Sequence, residues 1–346
     1  MVQPDVTIRG AGIFGLAVAH ACAGQGARVR VVDPNGIGAG SSGGIVGALA
    51  PHTPENWNAK KAFQFESLRL AEAWWANVTK VSGLSAGYAR LGRLQPLADE
   101  RAVVLARSRA DNAATLWQSF AHWTLLQSSE AGDWAPHSPS GWLVRDTLTA
   151  RLHPAQACRA LAASVVAQGG EIVTEADRVG PEVWATGYEG LAHLSVDLGR
   201  SVGAGVKGQA ILLDLDRRGE PQLFADGLHI VPHQDGTVAI GSTSERDFTD
   251  PTSTDAQLDD ILARAIAACP AVADAPVLAR WAGVRPRART RSPMLGKHPL
   301  QDGVFIANGG FKIGFGMAPK VAEVMADLIL RGQGEIPPGF RVEDNI

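Results

Sequence analysis

The sequence predicts an α/β protein with a smaller second unit of α+β character, built on a mixed or antiparallel sheet. Three observations predict this. The chain opens on a strand, a glycine turn, a helix and a second strand. Residues 205–248 alternate short apolar runs with Gly and Asp turns. The chain closes on a strand, another glycine-rich turn and a helix. Its 346 residues suit about two domains.

Val6–Arg9 reads as the first strand and leads into Gly10-Ala11-Gly12-Ile13-Phe14-Gly15. An apolar helical stretch follows, then the strand Ala27–Val32, then Asp33 and Pro34. Gly10 permits the tight turn, Gly12 lets backbone approach a pyrophosphate, and Gly15 lets helix and strand pack closely. The helix N-terminus offers N–H groups and a positive dipole end to phosphates. Asp33 stands where a carboxylate accepts from ribose hydroxyls. Strand, turn, helix and acid together predict a dinucleotide site, and this spacing admits NAD or FAD.

The next loop, residues 34–52, holds Ser41, Ser42, Gly43 and Gly44 and then turns apolar at Ile45, Val46, Leu49 and Pro51. A flexible linker would not carry those side chains; a loop beneath a flat, partly apolar ligand would. Ser41 and Ser42 suit a helix cap or a phosphate contact.

Residues 59–80 predict an amphipathic helix with Phe63, Leu70, Trp74 and Val78 on its core stripe. A second helix is expected over 99–120 and a loop over 128–142. A helix through Ala155–Gln168 ends at Gly169-Gly170 before the strand Glu171–Val173. Val183-Trp184 then runs into Ala185-Thr186-Gly187, small residues that let a ligand lie near the backbone. Strands are expected at Gln209–Asp214, Leu228–Pro232 and Val238–Gly241, and a helix at Asp255–Ala268. The strand Val304–Ala307 enters a glycine-rich turn, and the last helix is expected over Ala318–Leu330, stopping at Gly332. The cofactor-like pieces lie apart in sequence. The expected division is therefore a discontinuous nucleotide domain, 1–85, 145–200 and 282–346, and a substrate domain, 86–144 and 201–281.

Composition excludes several classes. The formal net charge of −3 gives no drive toward nucleic acid or an anionic membrane. No stretch has the length and apolarity of a membrane span, and no signal peptide is visible, so a cytoplasmic protein is expected. Cys22, Cys158 and Cys269 show no metal-ligand spacing and read as reduced core thiols. No metal site is expected.

The motifs and their order resemble the D-amino-acid-oxidase-like FAD oxidoreductases, which include glycine oxidase, sarcosine oxidase and the flavin domain of a bifunctional tRNA-modifying enzyme. The marks are Gly10–Gly15, the Ser41-Ser42 loop with Gly47–Pro51, Ala185-Thr186-Gly187, Val206–Gln209, Ile230-Val231-Pro232, Ile240–Glu245, Trp281–Pro286 and Gly309–Pro319. The resemblance implies a Rossmann-type domain holding FAD non-covalently and a second domain whose antiparallel sheet covers the flavin. It implies cofactor contacts from Gly10, Gly12, Ile13, Phe14, Gly15, Asp33, Pro34, Ser41, Ser42, Gly43, Gly44 and Leu49. Further along the chain it implies Val179, Ala185, Thr186, Gly187, Gly283 and Arg285, then Gly310, Phe311, Lys312, Ile313, Gly314, Phe315, Gly316 and Met317. Independently of the resemblance, a helix N-terminus at the last turn would stabilise negative charge on a reduced flavin.

The expected chemistry is oxidation of the C–N bond of an amino acid or related amine, by hydride transfer to flavin N5, hydrolysis of the imine and reoxidation by oxygen or another acceptor. Arg285, in the matching Gly-x-Arg-Pro motif, is the leading carboxylate contact. Lys312 stands where glycine-oxidase-like members carry arginine. His229 stands where amino-acid oxidases often place a tyrosine, either orienting substrate or serving as a core histidine. His52, beside the flavin loop, is a further candidate. Competing expectations are a flavin subunit of a hetero-oligomeric dehydrogenase, a flavoenzyme acting on a tRNA nucleoside, and a two-domain NAD dehydrogenase. The sequence leaves the oligomeric state open.

Overall fold

The computed structural model describes residues 3–346. The first half contains β1 (Val6–Arg9), α1 (Ile13–Gly24), β2 (Val29–Val32), β3 (Ala48–Leu49), α2 (Ala59–Ser82), β4 (Arg93–Pro96), α3 (Glu100–Leu116), β5 (Trp123–Gln127), β6 (Trp142–Asp146) and β7 (Ala150–Arg151). After these come α4 (Pro154–Ala167), β8 (Glu171–Val173), β9 (Glu182–Trp184), α5 (Gly187–Asp197), β10 (Gly203–Asp214), β11 (Gln222–Ala225), β12 (Leu228–Pro232) and β13 (Thr237–Gly241). The chain ends through α6 (Gln257–Ala268), β14 (Val277–Ala288), β15 (Met294–Lys297), β16 (Val304–Asn308) and α7 (Gly314–Arg331).

Two sheets carry the fold. The first has the order β15-β16-β9-β1-β2-β8, parallel from β16 to β8 with β15 antiparallel at its edge. Buried Val6, Ile8, Val29 and Val31 leave its central strands apolar, as expected where helices cover a parallel sheet. Helix α1 packs against α4 and α7, and α2 against the same two helices. The second sheet has the order β14-β10-β13-β12-β11-β4-β6-β5, antiparallel except where β11 meets β4. Its outer face packs Ile211, Leu213, Leu223, Ile230 and Ile240 against α6. The α/β class with a mixed second sheet is as the sequence predicts.

Differences are local. In α2, capped by the Asn58 side chain accepting from the Lys61 N–H at 3.1 Å, Phe63 and Val78 are buried as expected. Leu70, however, is 37% exposed, and Trp75 rather than Trp74 is the buried indole. The helix sits between α4 and α7, so its buried stripe is set by two neighbours. Helix α7 starts at Gly314, ahead of the expected Ala318, and the Met317 N–H already donates to the Ile313 carbonyl at 3.0 Å. The sheet expected from 205–248 also recruits β4, β5 and β6 from upstream and β14 from downstream. Strand β6 crosses 144/145 and β14 crosses 281/282, so two ends of the expected segments fall inside strands.

Candidate active site

A cleft of about 880 Å³ runs from the C-terminal ends of β1, β2 and β9 to the inner face of the second sheet. Ligands of open α/β sheets bind at that strand end. The turn after β1 shows why glycine occurs at fixed positions. Gly10 has φ 108°, and a Cβ on it would stand 2.3 Å from the Ala185 carbonyl oxygen. A Cβ on Gly15 would stand 1.9 Å from the Gly10 carbonyl oxygen, so β1 and α1 meet backbone to backbone. Asp33 ties the turn down: its carboxylate accepts from the Ala11 N–H at 2.7 Å and the Asn35 N–H at 2.9 Å.

Ser42 refines the expectation of free amides at the helix start. Its hydroxyl oxygen accepts from the Ile13 N–H at 3.0 Å and would lie 3.1 Å from a Cβ on Gly12. A residue distant in sequence thus caps α1, whose own N-cap residue, Gly12, has no side chain to do so.

The other end of the cleft is cationic. Arg285 on β14 donates from Nη1 to the Ser242 hydroxyl at 2.7 Å and from Nη2 to the Thr243 carbonyl at 2.8 Å, with a longer contact to the Lys207 carbonyl at 3.4 Å. Its Nε is buried without a partner. Burial lowers its pKa to about 10, opposed by the Glu245 charge. Lys312 is held below the ordinary lysine range by burial and by the Arg285 charge. The two cations flank the ring of Phe311, with Arg285 Cζ 5.9 Å and Lys312 Nζ 5.8 Å from its centroid. His229 lies beside Phe224, ring centroids 4.8 Å apart, and its Nδ1 has no partner. Burial and the Arg93 and Lys312 charges hold its pKa at about 3, so the imidazole is neutral at ordinary pH.

Of the expected residues, Gly10, Gly12, Ile13, Phe14, Asp33, Pro34, Ser41, Ser42 and Gly44 line the cleft, as do Ala185, Thr186, Gly187, His229, Gly283 and Arg285. Gly310, Phe311, Lys312, Gly314 and Phe315 line it as well. The remainder do not. His52 is turned onto α2, where its backbone N–H and Nδ1 both meet Gln64 Oε1, at 2.7 and 2.5 Å. Leu49 and Met317 are core residues, and Gly316 is buried within α7. Gly15 and Gly43 press against the Gly10 and Gly38 carbonyls. Val179 lies between β8 and β9, and Ile313 precedes α7, both away from the cleft lining. Residues not foreseen are Trp281, Phe224, Ser242 and Tyr188. Trp281 leaves no room for a side chain on Gly283, whose Cβ would stand 2.5 Å from its ring. The two-residue alternation along β14 would have placed Trp281 on the face of Arg285.

These residues fit FAD. The volume lies toward the upper end of the roughly 300–1,000 Å³ of small-molecule sites. One end presents a glycine turn, a helix N-terminus and an acid; the other presents a second glycine turn and the start of α7. The comparisons with known proteins agree. Residues 5–328 match the family described as FAD dependent oxidoreductase. The chain is 30% identical over 283 residues to a glycine oxidase of Pseudomonas aeruginosa, covering 82% of this chain and 68% of that protein. It is 23% identical to a glycine oxidase of Bacillus licheniformis, covering 94% and 93%. Glycine oxidase from Geobacillus kaustophilus has the same fold, with TM-score 0.85 at 22% identity and 99% of each chain covered. Iminodiacetate oxidase from a Chelativorans species gives 0.84 at 20% identity, covering 97% and 98%. The chain belongs to the FAD-dependent oxidoreductase family and is a flavoenzyme that oxidises the C–N bond of an amino acid or related amine.

Proposed function

We propose that the substrate is a small amine bearing a carboxylate, bound at the cationic end of the cleft. One observation carries this reading: Arg285 and Lys312 lie beside Phe311 in the cleft, and among the described residues every acceptor on the Arg285 guanidinium is neutral. Two partly desolvated cations without a carboxylate partner favour an anionic ligand.

Bound FAD would supply the acceptor for the hydride equivalent released from the carbon that bears nitrogen. Gly10, Gly12, Ser42 and Asp33 would hold its dinucleotide portion, and the segment from Gly310 to Phe315 would lie at its ring system. Arg285 gives the substrate carboxylate charge-assisted hydrogen bonds, and Lys312 adds a point charge without a fork. Neutral His229 lines the cleft beside Phe224 and adds no third positive charge. Phe224 and Trp281 form apolar walls that exclude water. The imine product would be hydrolysed by water, and oxygen or another acceptor would take up the two electrons. Three buried, unpaired cysteines accord with a reducing compartment, and the cytoplasm is the location we assign.

The test is anaerobic mixing of purified wild type and Arg285→Ala with a panel of D-, L- and N-methyl amino acids, following loss of flavin absorbance. Arg285→Ala is expected to keep its flavin and raise KM for carboxylated substrates by about a hundredfold, the loss of two charge-assisted hydrogen bonds. An unchanged KM for every active carboxylated substrate refutes the assignment.

A further inference from the structure

We propose that Ser242 is a positioning residue for Arg285, setting which edge of the guanidinium faces the ligand without neutralising its charge. The inference rests on the reading that Arg285 binds a carboxylate. Among the described residues Ser242 supplies the one side-chain acceptor on the guanidinium, at 2.7 Å; the others are the backbone carbonyls of Thr243 and Lys207. All three act on Nη1 and Nη2, and Nε is left unpartnered. Gly208 completes the seat. A Cβ there would stand 1.6 Å from Arg285 Nη2, so the guanidinium rests against bare backbone on β10.

The chemistry of these acceptors matters. A carboxylate at position 242 would hold the guanidinium more firmly, but it would form a buried ion pair and remove the charge a ligand needs. A hydroxyl fixes direction and leaves the charge. Glu245, whose charge acts on the guanidinium, is drawn elsewhere. It accepts from the Thr243 hydroxyl, from Gln209 Nε2 at 3.1 Å, and pairs with Lys207 at 3.9 Å. Glu245 therefore acts on Arg285 through space and does not cap its donors.

The probe is glycolate, a carboxylate with no C–N bond to oxidise, titrated into the flavin-loaded enzyme while its absorbance spectrum is recorded. Ser242→Ala is expected to weaken glycolate binding about tenfold, the effect of freeing a charged donor from one of its fixed partners. Ser242→Thr keeps the oxygen and is expected to restore binding. In an Arg285→Lys background, which has no guanidinium to orient, Ser242→Ala is expected to change little further. Wild-type affinity in Ser242→Ala, or an equal loss in the Arg285→Lys background, overturns the proposal. An Arg285→Ala variant that binds glycolate as wild type does would instead overturn the carboxylate reading beneath it, so the two failures are distinguishable.

Discussion

Replacing Gly15 by alanine adds one methyl group at the junction of β1 and α1. That methyl would stand 1.9 Å from the Gly10 carbonyl oxygen, against 3.4 Å for ordinary contact, a deficit of about 1.5 Å. It also meets the Gly10 carbonyl carbon at 3.1 Å and Ala185 Cβ at 3.3 Å, so there is no flexible side chain to yield. The helix start must move away from the strand, and the amides that face the dinucleotide move with it. Overpacking of this kind costs about 1–3 kcal/mol in stability. Misdirecting two amide donors to a diphosphate removes about 3 kcal/mol or more from cofactor binding, roughly a hundredfold in Kd. The assay is titration of apoprotein with FAD, following quenching of flavin fluorescence, with a thermal melt of the apoprotein alongside. Gly219→Ala is the control, since a Cβ there meets nothing within 4 Å. A Gly15→Ala protein that takes up FAD with wild-type affinity would refute the argument that this contact sets the cradle.

Ser42→Ala removes the acceptor for the Ile13 N–H and is expected to destabilise the apoprotein by about 1 kcal/mol, read from denaturant melts. FAD affinity should fall with it. Stability should also depend on pH through buried histidines. His229 and His233 are held at about 3, chiefly by burial, against 6.5 when unfolded. Between those values the unfolded chain binds protons that the folded chain refuses. Stability is therefore expected to decline as pH falls below 6.5, by up to about 1.4 kcal/mol per pH unit for each histidine, and to level off near 3. In His233→Phe part of that slope should vanish in melts between pH 7 and pH 5; an unaltered slope would remove His233 from the account. Finally, adding FAD at about one hundred times its Kd should stabilise apoprotein by about 2.7 kcal/mol, and an unmoved melting temperature would contradict a cofactor site.

The two glycine turns were legible in the sequence because their jobs are backbone jobs. A close approach such as Gly15 on the Gly10 carbonyl permits one residue type, so the residue announces the contact. Arg285 was legible through its motif. Its hydrogen-bond partners were not, since Ser242 and Thr243 lie after β13 and reach it only across the adjacent β10. His52 shows the opposite failure. It stands three residues after Leu49 and close to the flavin loop in sequence, but Gln64 on α2 draws it out of the cleft. Proximity along the chain says little about side-chain direction where a loop leaves a strand. The recruitment of β4, β5 and β6 into the second sheet was hidden for a related reason. Short strands such as Arg93–Pro96 carry too few residues to show alternation and are fixed by long-range pairing.

Strand β14 has a mechanical consequence. It pairs with β10 from one end to the other, and near its C-terminus Arg287 bridges to Gly310 in the turn that precedes α7. The ceiling of the chamber and its far wall are thus parts of one girder. Swinging them apart like jaws would unzip a long ladder of hydrogen bonds, whereas shifting Pro251 and Thr252, which line the cleft in the segment between β13 and α6, breaks none of that ladder. Opening of the chamber should therefore fall to that segment, and stiffening it should slow release while the chemical step keeps its pace.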